Sequence, residues 1–284
     1  MTSPHPHPVS DPYSVPDPMN RPDPDPLNPP PPAEPPTPPH PGLGSVVAEQ
    51  PDPLLFATVS GAHLYGFPSR DSDVDLRGVH LLPVAELVGL REPEETRSRI
   101  WDRDGTEMDL VTHDLRKFVR LMLRPNGYVL EQLLSPLVVH TSDAHTELTA
   151  LAPGVLTVRH AHHYRGFAGT QWRLFERTDE LKPLLYTFRA LLTGIRLMRG
   201  GTVQAHLPTL LGEVDAPAYL PELIEAKADA EHGPAAGVDR EVVQTDVEAL
   251  HAALEQARQD SRLPAEPTAR DALEDLVVRI RLEG

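Results

Sequence analysis

The segment that decides the fold is TVSGAHLYGFPSRDSDVDLRGVHL, residues 58–81. It begins inside the apolar run LLFATVSG, which predicts a buried strand that ends at a glycine turn. The next stretch, SDVDLRGVHLLP, alternates apolar and polar residues, which predicts a strand with Asp73 and Asp75 on one face. Two carboxylates this close repel each other, so they suit either a solvated polar loop or a cation site.

A third acid follows on another predicted strand. The stretch TEMDLVTHDL, residues 106–115, alternates again and sets Met108 and Leu110 against Glu107 and Asp109. Three acids from two strands can hold two metal ions about 3.5–4 Å apart, the arrangement used for in-line phosphoryl transfer. We take Asp109 as the third acid, with Glu107 on the same strand face as the alternative.

The turn at Ser60-Gly61 predicts a phosphate contact. A strand that ends in a glycine turn and opens a helix leaves backbone N–H groups directed at a bound anion. Glycine lets the backbone approach the phosphates closely, because it has no side chain. Arg77, two residues beyond the acid pair, is predicted either to contact a triphosphate or to pair with a carboxylate.

The remaining pattern predicts an α+β protein. Asp114 is a good N-cap for a helix with an apolar face, and helical periodicity dominates after about residue 155. We therefore predict a small mixed-sheet domain over 49–152 and a helical domain over 153–284. Residues 1–43 hold 18 of the 33 prolines, which predicts a disordered tail, placed at 1–48.

Composition excludes several classes of protein. The net charge of −16 argues against binding of nucleic acid or membranes by the whole surface. The absence of cysteine excludes disulfides, thiol nucleophiles and Cys-based zinc sites. No apolar run approaches the roughly 18 residues of a membrane-spanning helix. A cytoplasmic protein without a membrane partner is the expectation.

One basic stretch stands out in this acidic chain. Residues 158–200 hold eight Lys or Arg against three Asp or Glu, whereas residues 201–284 hold seven against seventeen. Within it, Lys182, Arg189 and Arg196 are spaced by seven and fall along one helical face. We predict this face as the candidate contact with a polynucleotide, with ordinary solvated helix as the alternative.

The motif VSGAHLYGFPSRDSDVDLRGV resembles the signature of the DNA polymerase β-type nucleotidyltransferase superfamily. With Tyr65-Gly66 and SDVDLRGV, it is similar to the nucleotidyltransferases found beside RNA ligases in bacterial RNA-repair operons. The resemblance covers roughly residues 54–280. It implies that Asp73, Asp75 and Asp109 are the catalytic metal ligands. It also implies that the nucleotide-binding residues are Ser60, Gly61, Tyr65 and Arg77.

The resemblance implies transfer of a nucleoside monophosphate from an NTP to a hydroxyl, with Mg²⁺ or Mn²⁺ as cofactor. It implies the 3′ end of RNA as acceptor and functional association with an RNA ligase. A small molecule or a protein hydroxyl fits the motif equally well. The family usually carries serine where this chain has Ala62, and this departure supports a further alternative, a non-catalytic nucleotide- or RNA-binding module.

Overall fold

The structure is a computed structural model that describes residues 38–228, 235 and 239–283. The predicted tail lies mostly outside these residues. Its predicted end at residue 48 is wrong, because Leu43 and Val46 are buried on a short helix, α1. The two side chains pack into the main hydrophobic core, so the folded part of the chain begins before residue 48.

Five strands form one mixed sheet in the order β3-β4-β2-β1-β5. Strands β2 and β4 pair in parallel, and the other neighbouring pairs are antiparallel. The predicted strands at LLFATV, VDLRGVH and TEMDLVTHD are confirmed. The bounds are β1 (Leu54–Val59), β2 (Val74–His80), β3 (Thr96–Arg103), β4 (Thr106–Asp114) and β5 (Val138–His140).

Strand β3 is one of the elements that the apolar pattern does not indicate. None of its residues is buried, because it is an edge strand that pairs only with β4. The turn between the two strands is Asp104-Gly105, and both residues have positive φ, 56° and 83°. An Asp-Gly pair is a strong hairpin signal, so the sequence does contain the information that locates this strand.

The helices confirm the predicted helical half. The short helices of the sheet region are α1 (Leu43–Ala48), α2 (Gly61–Tyr65) and α3 (Val84–Val88). Those that follow the sheet strands are α4 (Leu115–Met122), α5 (Gly127–Leu133) and α6 (Asp143–Leu151). The remainder are α7 (His160–Thr178), α8 (Leu181–Gly200), α9 (Leu207–Leu210), α10 (Leu220–Ala228), α11 (Arg240–Asp260) and α12 (Arg270–Glu283).

Helix α4 begins as predicted. The Asp114 carboxylate accepts from the backbone N–H of Arg116 at 2.9 Å and so caps the helix. The same carboxylate is completely buried and is bound by the Arg281 guanidinium at 2.8 and 2.9 Å. This buried ion pair fixes the last helix, α12, to the end of β4.

Helix α8 is the centre of the helical part. Fifteen of its twenty residues are buried, and it packs against α7 and α11. Residues from the sheet and from α8 belong to the same continuous hydrophobic core. The predicted boundary between residues 152 and 153 falls inside a 3-10 helix, Ala152–Val155, and independent folding of the two parts stays a prediction. Among the described residues, no helix is both long and apolar enough to cross a membrane.

Candidate active site

Two acids meet in the middle of the sheet. Asp75 on β2 is the direct pairing partner of Asp109 on β4. Side chains of directly paired residues lie on the same face, so the two carboxylates are neighbours. Glu107 lies two residues before Asp109 on β4. It pairs with Asp102 of β3 and is exposed. Asp73 lies just before β2 and is half-buried.

Arg77 bridges the two paired acids. One guanidinium nitrogen, Nη2, contacts the Asp75 carboxylate and lies 2.8 Å from Oδ2 of Asp109. The other, Nη1, donates to the backbone carbonyl of Asp109 at 2.6 Å. Of the two roles predicted for Arg77, the structure therefore shows the carboxylate pairing.

The surroundings of Asp75 are unfavourable to its ionised form. The pKa of Asp75 is raised to about 6. Burial is the largest cause, and the charges of Asp73 and Asp109 add to the increase, whereas the charge of Arg77 opposes it. Lys182 also lowers the pKa of this carboxyl, as the smallest of the five causes. A further cation beside Asp75 would therefore stabilise the ionised form of this carboxyl.

The acids do not form a ready metal cage. Within the described ranges, no three His, Cys, Asp or Glu side chains are gathered closely enough to hold a metal ion as they stand. The point on which Asp75 and Asp109 converge is taken by Arg77 Nη2. Carboxylate oxygens are nevertheless the ligands that Mg²⁺ prefers, so the donor set fits this ion once Arg77 gives way.

Position 61 requires glycine because the side chain of Asp75 lies against it. Its φ is +61°, and a Cβ at this position would lie 1.8 Å from Oδ2 of Asp75. The space that the sequence motif suggests for a phosphate is thus filled partly by the carboxylate. The neighbouring residue, Ser60, is buried and its N–H donates to the Asp75 carbonyl at 2.8 Å. The turn therefore positions Asp75, and its contact with a nucleotide stays a prediction.

The nucleotide contact of Tyr65 stays a prediction, and the structure shows this residue in the core. Tyr65 is 1% exposed, and its hydroxyl donates to Glu131 on α5 at 3.1 Å. The ring lies against the guanidinium of Arg189, whose Cζ is 3.8 Å from the ring centroid. Tyr65 is thus part of the packing behind the acids.

The contact of Lys182, Arg189 and Arg196 with a polynucleotide stays a prediction, and the structure places these three residues of α8 in different surroundings. Arg189 is 1% exposed and binds Oε1 of Glu131 at 2.8 Å, so it faces the core. Arg196 is paired with Glu213 at 2.7 Å. Lys182 is half-buried. A spacing of seven places residues on one helical face, but that face changes from solvent to core as α8 passes other elements.

Sequence reasoning did not single out Glu131. Its signal is its position within the apolar run GYVLEQLL, where Val129, Leu130 and Leu133 are all buried. A carboxylate among buried apolar residues requires a cationic or hydrogen-bonding partner. Here the partners are Arg189 and Tyr65, so the ion pair joins α2, α5 and α8 behind the acids.

The mixed sheet carries adjoining acids on two parallel strands, beside a strand–glycine–helix turn. These features define the class of the polymerase β-type nucleotidyltransferases. Residues 41–279 match the family model described as RlaP: RNA repair pathway DNA polymerase beta family. The chain belongs to this family, and the predicted resemblance is confirmed.

Two curated proteins are similar to parts of this chain. The uncharacterized protein MJ0002 of Methanocaldococcus jannaschii is 32% identical over 153 residues, which are 52% of this chain and 61% of that protein. The uncharacterized protein YcgL of Bacillus subtilis is 27% identical over 187 residues, 63% of this chain and 71% of that protein. The match therefore spans about three fifths of the length of MJ0002.

Among solved structures, a nucleotidyltransferase-like protein from Exiguobacterium sibiricum 255-15 is 12% identical to this chain. The comparison covers 84% of this chain and 77% of that one, with a TM-score of 0.29.

Proposed function

We propose that this protein transfers a nucleoside monophosphate from an NTP to an acceptor hydroxyl, most simply the 3′ end of an RNA in a repair pathway. The observation that carries the proposal is the pairing of Asp75 with Asp109, whose carboxylates converge on a single cationic group. Membership of an RNA repair family supports the choice of RNA as acceptor. Functional association with an RNA ligase is part of the same proposal.

In this reaction the acceptor oxygen forms a bond to the α-phosphorus, the bond to pyrophosphate breaks, and the acceptor hydroxyl gives its proton to water. Asp73, Asp75 and Asp109 would hold Mg²⁺ or Mn²⁺, which activates the attacking hydroxyl and neutralises charge on the leaving group. Asp75 and Asp109 are held in register by the β2–β4 pairing, so both carboxylates would face the reacting atoms together. Arg77, which pairs with both acids, and Lys182, whose charge lowers the pKa of Asp75, would supply positive charge to the phosphates.

The test is an incubation of the full chain with each α-labelled NTP, Mg²⁺ and an RNA with a free 3′ hydroxyl. The expected product is labelled RNA with release of pyrophosphate. The matched control is the same RNA with a 3′-deoxy end, which we expect to remain unlabelled. Label on a small molecule or on protein instead would contradict RNA as the acceptor.

A non-catalytic binding module is the second candidate. It is favoured by Arg77, which occupies the point between the two acids, and by Ala62 in place of the serine usual in the family. In the same assay, tight NTP or RNA binding without any labelled product, under every acceptor tried, would favour this module over the transferase.

Replacement of Arg77 tests whether its guanidinium competes with the metal. We expect Arg77→Met to raise Mn²⁺ affinity by about tenfold or more, because removing a positive charge a few Å from the cation is worth at least about 1.4 kcal/mol. The affinity is measured by electron paramagnetic resonance titration of free Mn²⁺. The matched control is Arg97→Met. Arg97 lies on β3 and pairs with Asp52, so its loss should leave Mn²⁺ affinity unchanged. Weaker Mn²⁺ binding by Arg77→Met would show that Arg77 holds the acids in place for the metal.

A further inference from the structure

A buried lysine lies on the core-facing side of α10. The buried residues of this helix are Leu220, Leu223 and Lys227, and their spacing of three and four places them on one face. Lys227 is 0% exposed, although a lysine is almost never fully buried without a partner. An apolar residue would continue the stripe at lower cost, because burial of a charge is expensive unless the charge is hydrogen-bonded. The position of Lys227 therefore indicates a role that an apolar side chain cannot fill.

The ammonium of Lys227 is bound by a turn that precedes β2, residues 69–72. Lys227 Nζ donates to Ser69 Oγ at 3.1 Å. Within the 69–72 turn, the N–H of Ser69 donates to Ser72 Oγ at 2.9 Å, and the N–H of Ser72 donates to the Ser69 carbonyl at 3.2 Å. The two serine hydroxyls lie 2.9 Å apart. Both serines are buried, so the turn is joined to α10 in a place that water does not reach.

The 69–72 turn leads directly into Asp73. Strand β2 and its pairing with β4 begin at Val74. The backbone ladder therefore fixes Asp75 and Asp109, whereas Asp73 lies before the first paired residue. Of the three acids, Asp73 is thus the one whose position depends on the turn, and through the turn on α10.

The rest of the segment between α2 and β2 also packs against the helical part. A Cβ at Gly66 would lie 2.5 Å from Nε2 of His206, the residue just before α9, so the two are in close contact. Phe67 is buried, and its ring centroid lies 5.4 Å from that of Tyr186 on α8. Helices α8 and α10 and the start of α9 thus all contact this segment. Of these three contacts, the one from Lys227 is the nearest in sequence to Asp73.

We propose that Lys227 is a positioning residue for Asp73, which holds the 69–72 turn so that this carboxylate reaches the metal together with Asp75 and Asp109. The inference rests on the proposed function, in which the three acids hold Mg²⁺ or Mn²⁺. A carboxylate that is already in place loses less conformational freedom when the cation binds, which favours tight binding. The site then extends beyond the sheet to a residue 158 positions from Ser69 along the chain.

The experiment titrates the full chain with Mn²⁺ alone and measures free Mn²⁺ by electron paramagnetic resonance. We expect Lys227→Met to weaken Mn²⁺ binding by about tenfold or more, the usual cost of losing a group that supports a metal ligand. Ser69→Ala removes the hydroxyl that accepts from the ammonium and should act in the same direction. The matched control is Lys117→Met, because the Lys117 ammonium also contacts a hydroxyl, that of Thr96 on β3. It should leave Mn²⁺ affinity unchanged.

A second comparison separates positioning of Asp73 from a general effect on the fold. In the Asp73→Asn background, we expect Lys227→Met to cause no further loss of Mn²⁺ affinity, since the carboxylate that it positions is already gone. An equal loss in both backgrounds would overturn the inference and leave the transferase intact. Unchanged affinity in both Lys227→Met and Ser69→Ala would do the same. If the wild-type chain bound no Mn²⁺, the metal site of the proposed function would fail together with this inference.

The melting temperature of each variant is measured beside its affinity, so that only folded protein is compared. Ser69→Ala is the smaller change, and it carries the test if Lys227→Met does not fold.

Discussion

Asp75→Asn is expected to reduce nucleotidyl transfer by more than about a hundredfold. Loss of a group that merely supports a metal ligand costs about 10–100-fold, and loss of the ligand itself costs more. Asparagine keeps the size of the side chain but not its charge, and the same substitution leaves only Asp109 to hold Arg77. The rate of transfer is measured with the labelled NTP and RNA described above.

The control for this variant is Glu107→Gln, which changes an exposed acid on the same strand face as Asp109. It should retain nearly full activity, and a large loss would make Glu107 the third acid. An Asp75→Asn protein that keeps more than a tenth of the wild-type rate would remove Asp75 from the set of metal ligands.

The Asp75→Asn variant should not lose stability at neutral pH. Burial raises the pKa of Asp75 to about 6 in the folded protein, above its value of about 3.9 in an unfolded chain. Ionisation of this carboxyl therefore opposes folding above about pH 6, and the cost disappears as the pH falls toward 4. We expect the melting temperature of Asp75→Asn to equal or exceed that of the wild type at pH 7.5, with the difference shrinking at pH 4.5. A lower melting temperature at pH 7.5 would show that the pairing with Arg77 outweighs the burial of the charge.

Arg189→Met is expected to destabilise the fold by about 3–5 kcal/mol, the usual cost of leaving one member of a buried ion pair without its partner. Arg189 and Glu131 are both 1% exposed, so water cannot replace the lost contact. The stacking of the guanidinium on Tyr65 is lost as well. The free energy of unfolding is obtained from urea denaturation monitored by circular dichroism.

Two further variants make this prediction specific to the buried pair. Arg196→Met breaks a pair with Glu213 that is far more exposed, and it should cost only about 0–1 kcal/mol. Adding Glu131→Met to Arg189→Met should recover part of the loss, since no charge is then left buried alone. If the double variant were less stable than Arg189→Met by the full cost of Glu131→Met, the pair would have no coupling energy.

The sequence by itself determined the elements that carry the acids. The apolar run at β1, the alternation in β2 and β4, and the Asp114 cap of α4 each depend on residues close together in the chain. The motif also indicated the family. The Asp104-Gly105 turn would have located β3 as well, because hairpin turns are local features.

Only the tertiary structure decided what the charged side chains do. Arg77 pairs with Asp75 and Asp109 because the parallel pairing of β2 with β4 brings together residues 32 apart in the chain. Arg189 is buried because the fold brings it against Glu131 of α5, 58 residues away. Helical and strand periodicity specifies which residues share a face, but elements distant in sequence decide whether that face meets water, another charge or the core.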